Sequence, residues 1–350
     1  MNKYRQTELD ILRFLALIFV IALHVTSSVW AKLPIMSGEW IQTTVWRMTW
    51  PVPIFVMISG RFFLDPEKEI SIKTLFGKYI KRLAVAFVFW SAIYQLYYAI
   101  QSYVQGGTPL AEWKGYIYEF CLGAYHMWYL YMLAGLYLLT PIIRKITTEK
   151  KILSYTILLA GIYHIIAYFG REILVVGELI NEILGMLRVD FLSGFLVYYL
   201  IGYYLYRYNI SKKVEIILYI AGGSTFVGAK IADCFLAIQQ GSVVEFFTNY
   251  MSPFTIVYSA SIYTLFVKRV SKVQFSQKAT QFFAWTTKYG FGTYLIHALV
   301  LELIMVFPIF KVTYMSPVLW IPVIILVAIV ISYGGAFVLR KVPKIGKYIS

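Results

Sequence analysis

Ten apolar runs of about 17 to 24 residues, with basic residues concentrated in alternate connecting segments, dominate this 350-residue chain. They fall near 9–30, 43–64, 78–101, 122–143, 152–170, 190–208, 214–237, 250–268, 289–310 and 317–340. A run of that length crosses the hydrocarbon layer as a helix, because a helix satisfies its own backbone hydrogen bonds where no water is available. The sequence therefore predicts an all-α polytopic membrane protein with about ten transmembrane helices. Two runs depart from an unbroken span: the second contains Pro51 and Pro53, and the seventh contains Gly222, Gly223 and Gly228.

An even number of spans puts both termini on one side, and the basic residues test that arrangement because positive charge accumulates in cytoplasmic loops. With the N-terminus inside, 23 of the 32 Lys and Arg residues fall in cytoplasmic segments and seven outside, while Arg13 and Arg61 lie within helices. The split predicts cytoplasmic termini. It also explains the net charge of +15 through topology and anionic lipid, so nucleic acid is not an expected partner. A 60% hydrophobic composition with 14% charged residues fits the same class. The first run follows Lys3 and Arg5 without a small-residue cleavage site, and reads as a retained helix. No linker divides the chain, so one membrane domain over 1–350 is expected, with no soluble domain. The loops near 102–121 and 171–189 are placed outside, the second as a short interfacial or re-entrant helix.

Ionisable residues inside such helices are costly and point to function. Arg13 and His24 are eleven residues apart in the first run, three helical turns plus about 20°, so they share one face roughly 16 Å apart along the axis. Asp10, one turn before Arg13, either neutralises it or fixes its guanidinium towards an anionic ligand. Arg61 follows Ser59-Gly60, a small pair suited to close helix approach. It either snorkels to the headgroups or joins Arg13, Lys78, Lys81 and Arg82 in a basic mouth suited to phosphates. His126, Trp128 and Tyr129 begin the fourth run, as an interfacial aromatic belt or as a sugar-binding set. Tyr294 and His297 share a face in the ninth run, and Asp190, Asp233 and Glu302 are acids within or beside the membrane. Cys121 and Cys234 have no metal-ligand spacing, whether they pair is left open, and no metal is expected.

Taken in order, Asp10-x-x-Arg13 with His24, Val52-Pro53 through Ser59-Gly60, Tyr125-His126-x-Trp128-Tyr129 and Gly292-x-Tyr294-x-x-His297 resemble the acyltransferase-3 family of integral-membrane acyltransferases. The similarity covers nearly the whole chain and is closest to short polysaccharide O-acetyltransferases of the enterobacterial common antigen O-acetyltransferase type. It implies transfer of acetyl from cytoplasmic acetyl-coenzyme A to a hydroxyl of a glycan or lipid-linked glycan, in a bacterial inner membrane. In that family the Arg and His of the first helix are required, and they map onto Arg13 and His24. Many relatives have an aromatic residue where this chain has Arg61, and many carry an esterase-like domain that is not expected here.

Chemically, a thioester needs a base to remove the acceptor proton and donors for the developing oxyanion. His24 is the expected base, or a transient acyl carrier, with Arg13, Asp10 and His297 completing the catalytic set. Arg13, Arg61, Lys78, Arg82 and Tyr294 are the expected donor-binding residues, and His126, Trp128, Tyr129 and Asp190 the acceptor side. A pantetheine arm reaches roughly 15 to 20 Å, which matches the Arg13 to His24 spacing. A small-solute transporter, for example of serine, also fits ten helices with buried charges. A non-catalytic subunit of a polysaccharide synthesis complex would not need Arg13 and His24 on one face, and a homo-oligomer is left open.

Overall fold

The computed structural model describes residues 6–68, 70–108, 113–170, 176–187 and 194–350. Its helices are α1 (Thr7–Ser27), α2 (Gly38–Trp46), α3 (Pro51–Phe63), α4 (Ile72–Thr74), α5 (Lys81–Val104), α6 (Trp113–Leu122), α7 (Trp128–Ile146) and α8 (Lys150–Phe169). They continue as α9 (Gly177–Leu187), α10 (Phe195–Arg207), α11 (Lys212–Gln240), α12 (Pro253–Lys268), α13 (Gln277–Ile304), α14 (Pro317–Leu339) and α15 (Gly346–Ile349). A π-helical turn, Leu75–Ile80, joins α4 to α5, and no strand occurs among the described residues.

Local chemistry sets these boundaries. The second apolar run divides into α2 and α3 where Pro51 and Pro53 fall. Pro51 takes the first position of α3, where its missing N–H breaks no helical bond. α13 begins at Gln277 rather than near 289, capped by Ser276, whose hydroxyl accepts from the Ala279 N–H at 3.2 Å. The two long loops contain α6 and α9. Among the described residues, five helical stretches are long and apolar enough to cross a membrane: Thr7–Lys32, Ile72–Val104, Lys150–Phe169, Lys212–Gln240 and Pro317–Leu339. α3 and α10 have 13 residues each, roughly 20 Å of helix. Large apolar side chains such as Val88, Leu96, Ile100, Leu158, Ile220 and Leu326 are more than half exposed on the outer faces, the surface expected against lipid.

Inside the bundle, helix directions follow from named contacts. α1 and α13 run parallel, since Thr287 bonds Asp10 at one end and the His297 ring lies 5.1 Å from His24 at the other. α5 runs the same way: Arg82 stacks on Phe291, and Tyr98 bonds Glu302. α3 runs opposite to α1, with Phe62 beneath Arg13 and Trp50 against Phe19. α7 is parallel to α3, through Phe55 with Tyr129 and Phe63 with Tyr137. α3 and α10 meet backbone to backbone, because a Cβ on Gly60 would lie 1.9 Å from the Tyr199 carbonyl oxygen and one on Gly202 would lie 2.2 Å from that of Met57. The Ser59-Gly60 pair thus permits the close approach its composition suggests. Both cysteines are free thiols.

Candidate functional site

α1 is built from Leu, Ile, Val, Phe and Ala with no Gly or Pro, and Glu8 and Asp10 in its first turn favour the helix dipole. This unbroken helix carries Arg13 near its start and His24 in its last turn. Arg13 Nη1 lies 3.1 Å from Asp10 Oδ1, and the same carboxylate oxygen accepts from the Thr287 hydroxyl at 2.9 Å. Asp10 is buried, whereas the Arg13 side chain keeps 23% of its surface.

Beside Arg13 opens a cavity of about 310 Å³. Arg13, Arg82, Thr286 and Thr287 line one end, Tyr129 and Tyr294 the other, and Phe14, Leu17, Val20, Val52 and Phe55 form apolar walls between them. Arg82 stacks on Phe291 and donates to the Ser350 carbonyl at 3.0 Å. Its Nε–H is buried with no hydrogen-bond partner. The cavity therefore joins two cations to an aromatic end wall.

Three of the four histidines stand behind that wall. Ring centroids of His24 and His297 are 5.1 Å apart, His126 and His297 5.1 Å, and His24 and His126 6.4 Å. Tyr294 stacks near both His126 and His297 and donates its hydroxyl to the His126 carbonyl. Because a carbonyl can only accept, the 2.5 Å contact between His297 Nδ1 and the Tyr294 oxygen puts the proton on Nδ1 and leaves Nε2 with its lone pair. That Nε2 is buried and unpartnered, and neither ring nitrogen of His126 makes a hydrogen bond of ordinary geometry. His24 is half-buried, the accessible member of the cluster. Buried polar atoms without partners are costly unless a ligand or water meets them, which makes the cluster a candidate ligand-binding site.

Gly123 explains how His126 arrives there. Its N–H closes α6 on the Glu119 carbonyl at 2.8 Å with φ of 77°, a conformation open to glycine, and the chain then turns His126 inward ahead of α7 while Tyr125 stays more than half exposed. The remaining candidates divide. Arg61 turns away from the cavity, stacking 3.5 Å over Tyr206 and lying 3.7 Å from Asp65. Lys78 is exposed beside Tyr79 and does not line the cavity. Trp128 packs against Phe195 and Tyr250 instead of joining Tyr129 at the cavity wall. Asp190 lies outside the described residues. Sequence reasoning named Tyr125 in a motif but gave it no role, though its ring is 5.1 Å from His24, and passed over Tyr94, whose hydroxyl donates to the Leu295 carbonyl and accepts from the Leu299 N–H beside His297. Nothing in the spacing of Tyr94 separates it from the other tyrosines among 30.

A helical bundle with apolar outer faces and a cation-lined cavity ending at a tyrosine wall in front of three imidazoles defines the class of an integral-membrane protein with an internal site. A family model described as an acyltransferase domain matches residues 6–337. The chain belongs to this acyltransferase-3 family and is a membrane acyltransferase. No curated protein and no solved structure matches it.

Proposed function

We propose that the protein transfers acetyl from cytoplasmic acetyl-coenzyme A to a hydroxyl of a cell-surface polysaccharide or its lipid-linked precursor, in a bacterial inner membrane. Within the family this is the chemistry of short polysaccharide O-acetyltransferases of the enterobacterial common antigen O-acetyltransferase type. One observation carries the reading: the Arg13 and Arg82 cavity leads directly to the wall behind which His24, His126 and His297 converge. Ten crossings with cytoplasmic termini suit the helix directions, since α1, α5 and α13 come from odd-numbered apolar runs and α3 and α7 from even ones.

Arg13 and Arg82 hold the donor phosphates at the inner mouth, where a guanidinium matches phosphate geometry. Asp10 and Thr287 fix the Arg13 plane. The cavity, at the lower end of small-molecule sites, accommodates the narrow pantetheine arm and leaves the nucleotide outside. His24 takes the proton from the acceptor hydroxyl as its oxygen bonds to the thioester carbonyl carbon. The C–S bond then breaks, and the imidazolium returns the proton to the leaving thiolate. His297, held as its Nδ1–H tautomer, and His126 orient the His24 ring and the developing oxyanion. Exclusion of water by the bundle protects the thioester from hydrolysis.

The test is label transfer from radiolabelled acetyl-coenzyme A to a glycan panel by the protein reconstituted in vesicles. His24→Ala is expected to lose transfer while still binding the donor, and Arg13→Ala to bind it more weakly. Undiminished transfer by His24→Ala would sink the mechanism, and solute uptake without donor binding would point to a transporter.

A further inference from the structure

A second opening approaches the histidine cluster by way of Tyr125, away from the cations of the donor cavity. Between α5 and α6 lies a groove of about 460 Å³, lined by Gln95, Tyr98, Tyr116, Glu119 and Tyr125. Its volume is within the roughly 300–1,000 Å³ typical of small-molecule sites. Position along α5 fixes which end of the bundle it occupies. Gln95 and Tyr98 lie 13 and 16 residues beyond Arg82 on one continuous helix, so the groove is about 20 Å or more from the donor mouth.

The lining has a specific chemistry. Glu119 accepts hydrogen bonds, Gln95 both donates and accepts, and three tyrosines offer ring faces and hydroxyls. Tyr98 is already oriented, since its hydroxyl donates to Glu302 Oε1 at 2.9 Å. On α6, which has no buried residue, Gly115, Tyr116 and Glu119 share one face and Ile117 and Tyr118 lie on the others. The groove therefore combines hydroxyl-pairing groups with aromatic surfaces in a bundle whose outer faces are otherwise apolar. Tyr125 connects it to the site: this residue lines the groove, and its ring lies 5.1 Å from His24 and 5.4 Å from His126. A hydroxyl-bearing ring held against Tyr125 has one aromatic side chain between itself and His24, and rotation of that side chain brings the hydroxyl within reach of the imidazole.

We propose that this groove is the acceptor site, taking a saccharide ring whose hydroxyls pair with Glu119 and Gln95 and whose apolar face rests on Tyr116 and Tyr125. The proposal rests on the acetyl-transfer reading above, and it places the acceptor on residues other than Trp128 and Tyr129. Tyr129 belongs to the wall of the donor cavity.

Gly115 provides the test. A Cβ there meets nothing within 4 Å, so Gly115→Trp fills the groove without a clash at the helix. Gly161→Trp, at an equally open position on α8, is the control. The probes are acetyl-coenzyme A, for binding to the protein in nanodiscs, and a panel of N-acetylhexosamine and hexose oligosaccharides, for transfer. The expected result is that Gly115→Trp lowers transfer at least tenfold, and Glu119→Gln raises the acceptor KM at least tenfold, with donor Kd within twofold of the parent in both. Gly161→Trp transfers like the parent. Undiminished transfer by Gly115→Trp with an unchanged acceptor KM would overturn the groove. Loss of donor binding in Gly115→Trp would also overturn it, by making the effect general. Failure of the parent protein to bind acetyl-coenzyme A would instead overturn the donor reading, and is read separately.

Discussion

Replacing Gly60 by Ala tests how tightly the donor cavity depends on one helix crossing. The added Cβ would lie 1.9 Å from the Tyr199 carbonyl oxygen and 2.8 Å from its carbon, against the 3.0 Å that real Cβ contacts keep. α3 and α10 must then part by about 1.1 Å, and backbone atoms cannot rotate away as a side chain would. A gap of that size forfeits a quarter to a half of the dispersion energy across the contact, and overpacking typically costs about 1–3 kcal/mol. The intrinsic helix gain of Ala over Gly, about 0.5–1 kcal/mol, offsets part of this. A net loss of about 1–2 kcal/mol is expected, roughly a five- to thirtyfold change in the folded ratio. Ile58, Ser59, Phe62 and Phe63 carry the shift to the cavity wall, so donor affinity should fall together with stability. Gly161→Ala on α8 makes the same chemical change where nothing lies within 4 Å, and should leave the protein as stable or slightly more so. Thermal unfolding in nanodiscs, followed by tryptophan fluorescence, reads both variants. If Gly60→Ala melts at or above the parent, the backbone contact does not control the crossing.

Other outcomes follow from the site and its surroundings. His24→Ala should lower kcat by about 10²- to 10⁴-fold, the usual contribution of a positioned base, with the acetyl-coenzyme A Kd unchanged by calorimetry. Tyr94→Phe leaves the Leu295 carbonyl and the Leu299 N–H without their shared hydroxyl partner. A loss of about 1–3 kcal/mol in stability is expected, with kcat falling more than either KM because His297 lies between those residues. Arg207→Ala removes an ion pair with Glu67 whose side chains are 46% and 68% exposed, so the melting temperature should move by less than that of Tyr94→Phe.

The sequence conveyed the parts of the fold that depend on neighbours along the chain. Run length and hydropathy located the helices, Pro51 and Pro53 marked the break between α2 and α3, and the Arg13 to His24 spacing placed both residues on one unbroken helix. The early start of α13 was hidden because Gln277 to Lys288 mixes polar residues with aromatics and falls outside any apolar window. The convergence of three histidines was hidden for another reason. His24, His126 and His297 are brought together by the turn at Gly123 and by the parallel course of α1 and α13, neither of which leaves a mark on local periodicity. Arg61 shows the limit of reading charge alone. Its partner ring, Tyr206, comes from α10, so a cation that looks like part of a phosphate mouth is spent on a contact between helices.

The histidines stand between two tyrosine walls, Tyr129 and Tyr294 towards the cavity and Tyr125 towards the groove. Each wall is about one ring thick, and Tyr125 itself keeps 54% of its surface, so these rings are what would have to seal the site against ions. Moving a unit charge through a membrane potential of 100 mV releases about 2.3 kcal/mol, so a leak of ions through the site would be driven continuously. Side-chain rotations take picoseconds to nanoseconds, whereas rocking of helix bundles takes microseconds to milliseconds. A protein sealed by rings can therefore open one side at a time without moving its helices, and its insulation fails at a single aromatic residue. Tyr125→Ala is the substitution that would turn such a transferase into a thioesterase, with acetyl-coenzyme A consumed in the absence of any acceptor.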